Sequence, residues 1–374
     1  MEKKKISIFA LHLSFGGIEK AISSLANMLC DDYQVEIISV YKICEKPVFF
    51  INENVKIKYL TNVVPNKKEF LNAVKKINIL KIVKEGITAL KVLLIKNKEL
   101  NKAVKECNSD IIISTRWDFN KKINIQNKIL VAWEHAHHNN NKKYINKLKK
   151  SVKHFDYLIP VSKALTNYYS VVIPNVKCVY MPLCIDKVPK LNSDLSKKEI
   201  TFIGRLAKEK GILDLIDIFK QISLKDAETV LNIVGDGLEK ESIVKKIQEL
   251  NLESKIKLHG FLSGEQLEKV LLNTSICVIA SFHESFGLVL LEETSYGIPC
   301  VAFDSAEGAK EIIDNNVNGY LIKNRNKEEM VNKIIQLLNN HELLSEFGKN
   351  AKKKAEDFTY ENSKEKWLEF MKSV

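Results

Sequence analysis

Short runs of consecutive apolar residues alternate with amphipathic stretches along the whole chain. A run that is apolar at successive positions is typical of a strand buried on both faces of a parallel sheet, and the amphipathic stretches have the period of helices. The alternation therefore predicts βαβ units and an α/β fold. The predicted strands are 6–11, 35–40, 55–60, 111–114, 129–133, 158–161, 178–181, 200–203, 230–234, 255–258, 276–280, 300–303 and 320–322.

The alternation restarts near residue 200, after the proline-containing stretch 181–189. A restart of this kind predicts two doubly wound, Rossmann-like domains with parallel sheets, joined by a linker. We place the N-terminal domain at 1–182 and the C-terminal domain at 183–358. The final stretch, 359–374, is amphipathic and predicts a terminal helix.

The composition is that of a globular protein, with 374 residues of which 45% are apolar and 28% are charged. No apolar stretch is long enough to span a bilayer, and the first residues lead into a strand without room for a signal peptide, so we expect a cytoplasmic protein. The seven cysteines are scattered, without a C-x-x-C pair. This spacing favours reduced thiols over a disulfide framework or a zinc site.

Positive charge is concentrated in the first half of the chain. Residues 1–185 hold 31 Lys and Arg against 15 Asp and Glu, a net charge of +16, whereas residues 186–374 hold 27 against 31, a net charge of −4; the two sum to +12. The contrast suggests that the first domain faces something anionic.

The segment 67–105 carries much of this charge, with eleven lysines and three glutamates among interleaved apolar residues. We expect two helices separated near Gly86, and a second lysine cluster follows at 142–153. A basic amphipathic stretch predicts an anionic membrane surface as a partner. The alternative is a core-packing helix with a solvated lysine face. A nucleic-acid surface would require aromatic residues among the lysines, but only Phe70 is present, so we expect no nucleic acid.

Ligands of open α/β sheets bind beyond the carboxyl ends of the strands, so the residues that follow each strand are the site candidates. Gly16 and Gly17 follow the first strand and open a helix, where close backbone approach and unpaired N–H groups suit an anion. An ordinary βα turn would use the same two glycines. His135 follows the strand at 129–133 and could contact a sugar. The histidines at 135–138 lack a helical i, i+4 pair, so we expect no metal.

Arg205 and Lys210 bracket the turn that follows the strand at 200–203. Two cations at such a turn could hold a diphosphate without a metal ion. The alternative is a pair of solvated charges, the usual environment of these residue types.

Glu284 and Glu292 enclose seven residues that predict a buried helix beginning near Phe286. Eight residues of helix rise roughly 12 Å, about the length of a nucleotide sugar from its hexose to its ribose. One carboxylate could then bind the sugar hydroxyls and the other the ribose, while the N–H groups of Phe286, Gly287 and Leu288 face the phosphates or the sugar. The alternative is two helix-terminal glutamates with a structural role.

Several common motifs do not occur in the sequence. There is no Asp-x-Asp, which many glycosyl-transferring enzymes of the other major fold use to hold a metal ion. The chain also has no G-x-x-x-x-G-K-[ST] phosphate loop and no G-x-G-x-x-G fingerprint, which weakens the ATPase and NAD-enzyme interpretations.

Together these motifs resemble the retaining family-four glycosyltransferases of the GT-B fold. The resemblance rests on the Gly-Gly turn, G-R-L…E-K-G at 204–211, G-D-G at 235–237, H-G-F at 259–261 and the Glu-x7-Glu segment 284–292. It implies two Rossmann-like domains facing across a cleft, and a helix from about Tyr360 that returns to the N-terminal domain. One departure is A-E-G-A at 306–309, where the family more often has paired glycines before its glutamate.

The resemblance also implies residue roles. Arg205 and Lys210 would bind the donor diphosphate, Glu292 the ribose, and Glu284 with the backbone of 286–288 the transferred sugar. His135 would occupy the family's N-domain histidine position near that sugar. The remaining donor-binding candidates are Gly16, Gly17 beside the phosphates, Gly235, and Phe261 beside the base.

The family's chemistry retains the anomeric configuration and needs no bound metal or other cofactor. The resemblance therefore implies transfer of a hexose or N-acetylhexosamine from a nucleotide sugar, by the family's habits a UDP-sugar, to a saccharide acceptor. A polyprenyl-diphosphate-linked acceptor would place the enzyme in bacterial capsule, lipopolysaccharide or other glycan synthesis. Two alternatives stay open at this point, a nucleotide-sugar epimerase of the same fold and a nucleic-acid-binding protein.

Overall fold

The computed structural model describes residues 3–374 and confirms the predicted α/β class. The chain forms two compact units. Unit 1 comprises the residues up to Val161, then Thr166–Met181 and Lys364–Val374; unit 2 comprises Ser162–Leu165 and Pro182–Ser363.

Unit 1 is built on seven strands that pair only in parallel. They are β1 (Lys5–Ala10), β2 (Gln34–Tyr41), β3 (Lys56–Thr61), β4 (Ile111–Ser114), β5 (Ile129–Glu134), β6 (Tyr157–Pro160) and β7 (Lys177–Cys178). Their order in the sheet is β3-β2-β1-β4-β5-β6-β7, which places the topological switch point between β1 and β4. Ile8 of β1 lies opposite Ile37 of β2 and Ile113 of β4, and all three are fully buried.

Helices connect the strands of unit 1. They are α1 (Gly17–Leu29), α2 (Lys67–Lys75), α3 (Ile79–Glu106), α4 (Trp117–Asn120), α5 (Lys142–Ser151) and α6 (Lys163–Val172), the last of which begins in unit 2.

The break in the basic segment lies before Ile79, and the prediction of a break at Gly86 is wrong. Ile77 has a positive φ of 51°, and the side chain of Asn78 caps α3 by accepting a hydrogen bond from the Lys81 N–H at 3.0 Å. Gly86 lies inside α3, where a glycine costs only about 1 kcal/mol relative to alanine. The predicted segment starts at Lys67 and Lys68, whose side chains are outside the part of the chain that the structure describes.

Unit 2 is built on six strands, again paired only in parallel. They are β8 (Glu199–Ile203), β9 (Val230–Val234), β10 (Ile256–Gly260), β11 (Ile276–Ile279), β12 (Cys300–Phe303) and β13 (Gly319–Ile322). Their order is β10-β9-β8-β11-β12-β13, so the switch point of this sheet lies between β8 and β11.

Helices connect the strands of unit 2 and follow the last of them, and Phe219 and Phe303 are fully buried in the core that forms on one face of its sheet. The helices are α7 (Ile212–Lys225), α8 (Lys240–Glu249), α9 (Glu265–Leu271), α10 (Leu288–Ser295), α11 (Lys327–Leu338) and α12 (His341–Glu356).

The last helix is α13 (Tyr360–Lys372), and its residues from Lys364 onward belong to unit 1. There the Trp367 ring packs edge-on against Trp133 of β5 at 5.3 Å, and Phe370 packs against Tyr157 of β6. Within residues 3–374, none of the helices is both long enough and apolar enough to cross a membrane.

Candidate functional site

The carboxyl edge of the unit 2 sheet brings Lys210 and Glu284 together. Lys210 ends the short 3₁₀ turn that follows β8, and Glu284 lies in the loop that follows β11. Because β8 and β11 flank the switch point, their loops meet at the position where open α/β sheets bind ligands. The Nζ atom of Lys210 lies 2.6 Å from Oε2 of Glu284, and each side chain keeps about a fifth of its surface exposed, at 21% and 19%.

The turn that carries Lys210 is built directly on the end of β11. The backbone N–H of Phe282 donates to the Glu209 carbonyl at 2.9 Å. Gly211 follows with a φ of 65°, and a Cβ atom at this position would collide with the carbonyl oxygen of Ala280. A glycine is therefore required on both conformational and steric grounds, and it fixes the distance between the two loops.

Arg205 lies on the same turn but in a different ion pair. Its Nη2 atom contacts Oε1 of Glu209 at 2.7 Å, and 70% of its side chain is exposed. The structure thus places Arg205 at the rim, whereas Lys210 lies deeper. An exposed pair of this kind contributes little stability, so an incoming anion could take the arginine from Glu209 at small cost.

Gly235 joins the loops that follow β8, β9 and β10. Its N–H donates to the Gly260 carbonyl at 2.7 Å, and its φ of 140° brings its backbone so close to Gly204 that a Cβ atom would meet the Gly204 carbonyl oxygen. Phe261 follows Gly260 and has 55% of its surface exposed. These loops therefore form one continuous backbone rim beside the Lys210–Glu284 pair.

The helix between the two predicted glutamates starts later than expected. α10 begins at Leu288, with Gly287 as its N-cap at a φ of 93°. Phe286 lies before the helix, and its ring is buried against Phe358 with the ring centroids 5.7 Å apart. Glu292 lies in the second turn of α10 and is half-buried.

The segment 306–309, where the sequence departs from the family pattern, packs against the loop of Glu284. The N–H of Gly308 donates to the Glu284 carbonyl at 2.9 Å. A Cβ atom at Gly308 would run into the backbone of Phe286. One glycine is therefore sufficient for the close approach at this point. Glu311, two residues beyond the segment, accepts a hydrogen bond from the Lys163 N–H at 2.5 Å.

Arg325 supports the Glu284 loop and was missed by the sequence analysis. Its guanidinium donates to the carbonyls of Ala280 and Ser281, each at 3.0 Å, and pairs with Asp214 at 2.7 Å. The same group stacks on the Phe282 ring at 3.8 Å. A signal was present in the sequence, because the chain contains only three arginines among its 58 basic residues. A bidentate, stacked guanidinium is a role that lysine cannot fill.

The glycine turn of unit 1 has a carboxylate beside it. Gly16 has a φ of 150°, and a Cβ atom there would collide with the carboxylate of Glu19 in the first turn of α1. Burial raises the pKa of Glu19 to about 7, and its Oε1 lies 3.4 Å from Nδ1 of His12. The position where Gly16 and Gly17 were expected to approach a phosphate is thus shared with an acidic group. Burial and the nearby Arg116 lower the pKa of His12.

His135 lies inside unit 1 and not on an open surface. Its ring packs on Trp133 at 4.3 Å, burial lowers its pKa to about 3, and its Nε2 has no hydrogen-bond partner among the described residues. Burial raises the pKa of the neighbouring Glu134 to about 7, although the carboxylate accepts hydrogen bonds from Ala136 and Tyr144. With its pKa lowered to about 3, the imidazole is neutral near pH 7.

The histidines that follow are also engaged within unit 1. His137 lies beside Asn139, and the ring of His138 stacks on Tyr168 at 4.2 Å. Within residues 3–374, no group of three or more His, Cys, Asp and Glu side chains is arranged to hold a metal ion.

Two doubly wound parallel sheets of this kind define a GT-B fold. The crystal structure of a TarM variant from S. aureus, in complex with fondaparinux, alpha-GlcNAc-glycerol and UDP, superposes with a TM-score of 0.78 over 98% of this chain and 99% of that one, at 18% identity. At this identity the likeness concerns the fold alone.

A family model matches the second half of the chain. Residues 185–354, a little under half of the chain, match the family model of glycosyl transferases group 1. The same region contains the Lys210–Glu284 pair and the backbone rim described above.

Two curated relatives differ in how much of them the chain covers. The poly(ribitol-phosphate) alpha-N-acetylglucosaminyltransferase of Staphylococcus aureus is 36% identical over 179 residues, which are 48% of this chain and 36% of that protein. The chain thus spans little more than a third of this relative. The GalNAc-alpha-(1->4)-GalNAc-alpha-(1->3)-diNAcBac-PP-undecaprenol alpha-1,4-N-acetyl-D-galactosaminyltransferase of Campylobacter jejuni is 24% identical over 386 residues, covering 99% of both chains.

As their names state, these relatives are glycosyltransferases, one acting on poly(ribitol-phosphate) and the other on a saccharide joined to PP-undecaprenol. The epimerase alternative gains no support from them.

Proposed function

We propose that this chain is a retaining glycosyltransferase that moves a hexose or an N-acetylhexosamine from a UDP-sugar to a saccharide acceptor, without a bound metal ion. The observation that carries the proposal is the Lys210–Glu284 pair at the switch point of unit 2, 2.6 Å apart and partly open to solvent. A cation and a carboxylate at this position match the two parts of a sugar diphosphate, its phosphates and its hydroxyls.

In the proposed donor complex, Lys210 shifts from Glu284 to the diphosphate and Arg205 joins it from the rim. Glu284 is then released to accept hydrogen bonds from the sugar hydroxyls. Glu292, about one helix turn beyond the start of α10, binds the ribose in this complex. The N-terminus of α10 adds backbone N–H groups and the positive end of the helix dipole, which favour the phosphates.

For the chemical step we propose front-side attack. The acceptor hydroxyl attacks the anomeric carbon on the face that the leaving phosphate departs from, and the phosphate oxygen takes the hydroxyl proton. Negative charge grows on the diphosphate as the glycosidic bond breaks, and fixed positive groups stabilise it there. Lys210 and Arg205 supply this charge, so the route assigns no step to a metal ion.

The acceptor is proposed from the relatives. The name of the Campylobacter relative places its acceptor sugars on undecaprenol-PP, and the name of the Staphylococcus relative specifies poly(ribitol-phosphate). By analogy, we propose that the acceptor of this chain is a saccharide joined to polyprenyl diphosphate and that the product serves a bacterial surface polysaccharide.

The donor is tested first by thermal unfolding of the full chain with UDP, GDP and ADP, each at a large excess. A ligand that binds only the folded state raises the midpoint, and at a given concentration the rise is larger for the tighter ligand. We expect UDP to raise it most. No shift with any of the three nucleotides would refute the donor site.

Catalysis is tested by replacing Lys210 with alanine, with Lys208→Ala as the matched control on the same 3₁₀ turn. We expect Lys210→Ala to lower turnover at least tenfold, because it removes the charge opposite the leaving phosphate. Lys208→Ala should leave turnover within twofold, since this side chain is exposed to solvent. Equal turnover in the two variants would remove Lys210 from the mechanism.

Two further measurements test the retention of the anomeric configuration and the independence from a metal ion. NMR of the product formed from an α-linked donor is expected to show an α linkage, and a β linkage would exclude retention. Turnover after exhaustive treatment with EDTA is expected to be unchanged, and restoration only by an added divalent cation would show that a metal takes part.

A further inference from the structure

One face of α3 exposes large apolar side chains to solvent. At about 100° per residue, six of them fall within an arc of roughly 100°, which makes a single stripe along the first part of the helix. We call this stripe the apolar face. Its members are Ile79, Leu80, Val83, Ile87, Leu90 and Leu94, each between 53% and 85% exposed.

The apolar face is not the side of α3 that packs on unit 1. The buried residues of this helix lie in its second part and are rotated from the apolar face by roughly 140° at the helical period. They are Val92, Lys96, Leu100, Ala103 and Val104. The helix therefore has one face for the core and a second apolar face that the core does not use. A contiguous exposed apolar patch on a globular protein marks an interaction site.

Exposed lysines lie beside the apolar face, and further lysines occupy the same side of the helix beyond its end. Lys84 and Lys91 lie beside the stripe, and Lys98, Lys102 and Lys105 follow on the same side beyond Leu94. The three glutamates of α3 at 85, 99 and 106 fall outside this side of the helix, at roughly 180° to 240° from Ile79. Of the three, Glu106 reaches the end of the lysine row, where its Oε1 lies 3.9 Å from the Nζ of Lys102. The rest of the surface combines apolar side chains with positive charge.

We propose that the apolar face and its lysine row dock this protein on a lipid bilayer that contains anionic phospholipid. The helix lies along the interface, with the apolar side chains at the boundary of the acyl chains and the lysines among the phosphates. Each lysine near an anionic surface adds attraction that salt screens. This proposal is argued from the geometry of α3 and does not depend on the proposed transfer reaction. It would locate that reaction at a membrane surface.

Flotation with vesicles tests the apolar side chains. The full chain is mixed with vesicles of phosphatidylcholine alone or with about a third of phosphatidylglycerol. We expect binding to the anionic vesicles, and a partition coefficient at least tenfold lower for the triple variant Leu80→Gln, Val83→Gln, Leu90→Gln, because these side chains supply the buried apolar area. The matched control substitutes Gln at three exposed leucines of unit 2, Leu191, Leu224 and Leu238, and should bind like the wild type.

The lysine row is tested in the same assay with Lys84→Gln, Lys91→Gln, Lys98→Gln. At the usual attraction of a lysine near an anionic surface, this triple variant is expected to lose about a hundredfold in partition to anionic vesicles. The control, with Gln at Lys240, Lys349 and Lys353 of unit 2, removes the same net charge and should lose much less.

Two outcomes would overturn the proposal. One is wild-type binding to anionic vesicles that is no stronger than to neutral ones, or that both α3 variants retain. The other is sedimentation that shows a wild-type dimer and a monomeric apolar-face variant without any vesicle binding, which would make a second copy of the chain the occupant. The thermal shift with UDP should be the same in all these variants, so failure of docking and failure of the donor site can be distinguished.

Discussion

The carboxyl edges of the two sheets share a topology but differ in the state of their charges. In unit 2, Lys210 and Glu284 are paired across the switch point and partly exposed. In unit 1, Glu19, Glu134 and His135 are buried. Burial raises the pKa of the two glutamates and lowers that of the histidine, which favours the neutral form of all three. The unit 2 edge therefore presents a partly exposed ion pair, whereas these three groups of unit 1 are buried where the neutral form is favoured.

Polar residues at a strand end can therefore have two roles, binding a ligand or holding the local structure. A partly exposed ion pair can exchange its partner for a ligand at small cost, because solvent replaces part of what is lost. A buried group has no such replacement, so its ionisation costs free energy even where it is hydrogen-bonded, as Glu134 is by Tyr144. We therefore infer that the edge of unit 2 binds the charged ligand and that the buried groups of unit 1 hold the shape of its own edge.

The tight packing of the unit 2 edge can be broken at Gly211. Gly211→Ala is expected to destabilise the protein by about 4 kcal/mol, from the left-handed φ together with the collision with the Ala280 carbonyl. Gly260→Ala is the control, since it has a similar φ of 69° and nothing within 4 Å of the added Cβ, and it should cost about 1 kcal/mol. Urea unfolding of both variants measures the difference, and equal losses would show that the loops can move apart.

The buried charge of unit 1 can be removed by Glu134→Gln. Because the folded pKa of about 7 lies above the usual 4.5, the folded state holds the proton more tightly than the unfolded state. Wild-type stability therefore falls as the pH rises from 4.5 to 7 and is lowest above 7. We expect the variant to match the wild type at pH 4.5 and to exceed it by about 3 kcal/mol at pH 8.

The measurement is the free energy of unfolding across this range of pH. His135 contributes in the opposite direction, because its lowered pKa makes stability rise with pH between about 3 and 6.5. This contribution is present in both proteins and cancels in their difference. A difference that does not grow with pH would show that Glu134 is already charged in the folded state.

The support beneath the Glu284 loop can be weakened at Arg325. Arg325→Lys is expected to cost about 2 kcal/mol, because lysine cannot bond two carbonyls and Asp214 while stacking on Phe282. The same exchange at the exposed Arg205 should cost less than about 0.5 kcal/mol. Thermal unfolding compares the two. A similar loss at both positions would mean that the Arg325 contacts add nothing beyond those of a surface pair.

The strands were predictable from the sequence because burial on both faces leaves a continuous apolar run. All thirteen predicted strands are present, with ends within three residues of those observed. The helix break in the basic segment was not predictable from composition. It depends on a residue at positive φ, Ile77, and on the Asn78 cap, whereas Gly86 carried the stronger local signal for a break.

The candidate site was predictable where a residue acts directly after its strand. Lys210 and Glu284 are 74 residues apart in the chain and meet because the strand order joins their loops. Arg325 could not be found in this way, since it acts on the backbone of the loop from another element. The burial of His135 depends on aromatic packing against Trp133, which no local pattern reveals.

The composition of unit 1 from separate pieces of chain has a consequence for any dissection of the molecule. Residues 364–374 belong to unit 1, where Trp367 and Met371 are almost fully buried, although they follow all of unit 2 in the sequence. A fragment that stops at 181 would expose the aromatic surface of β5 and β6 that this segment covers. A truncation that removes the second half of the chain would therefore cause misfolding of unit 1. Adding the missing helix as a separate peptide should restore the fold of that fragment.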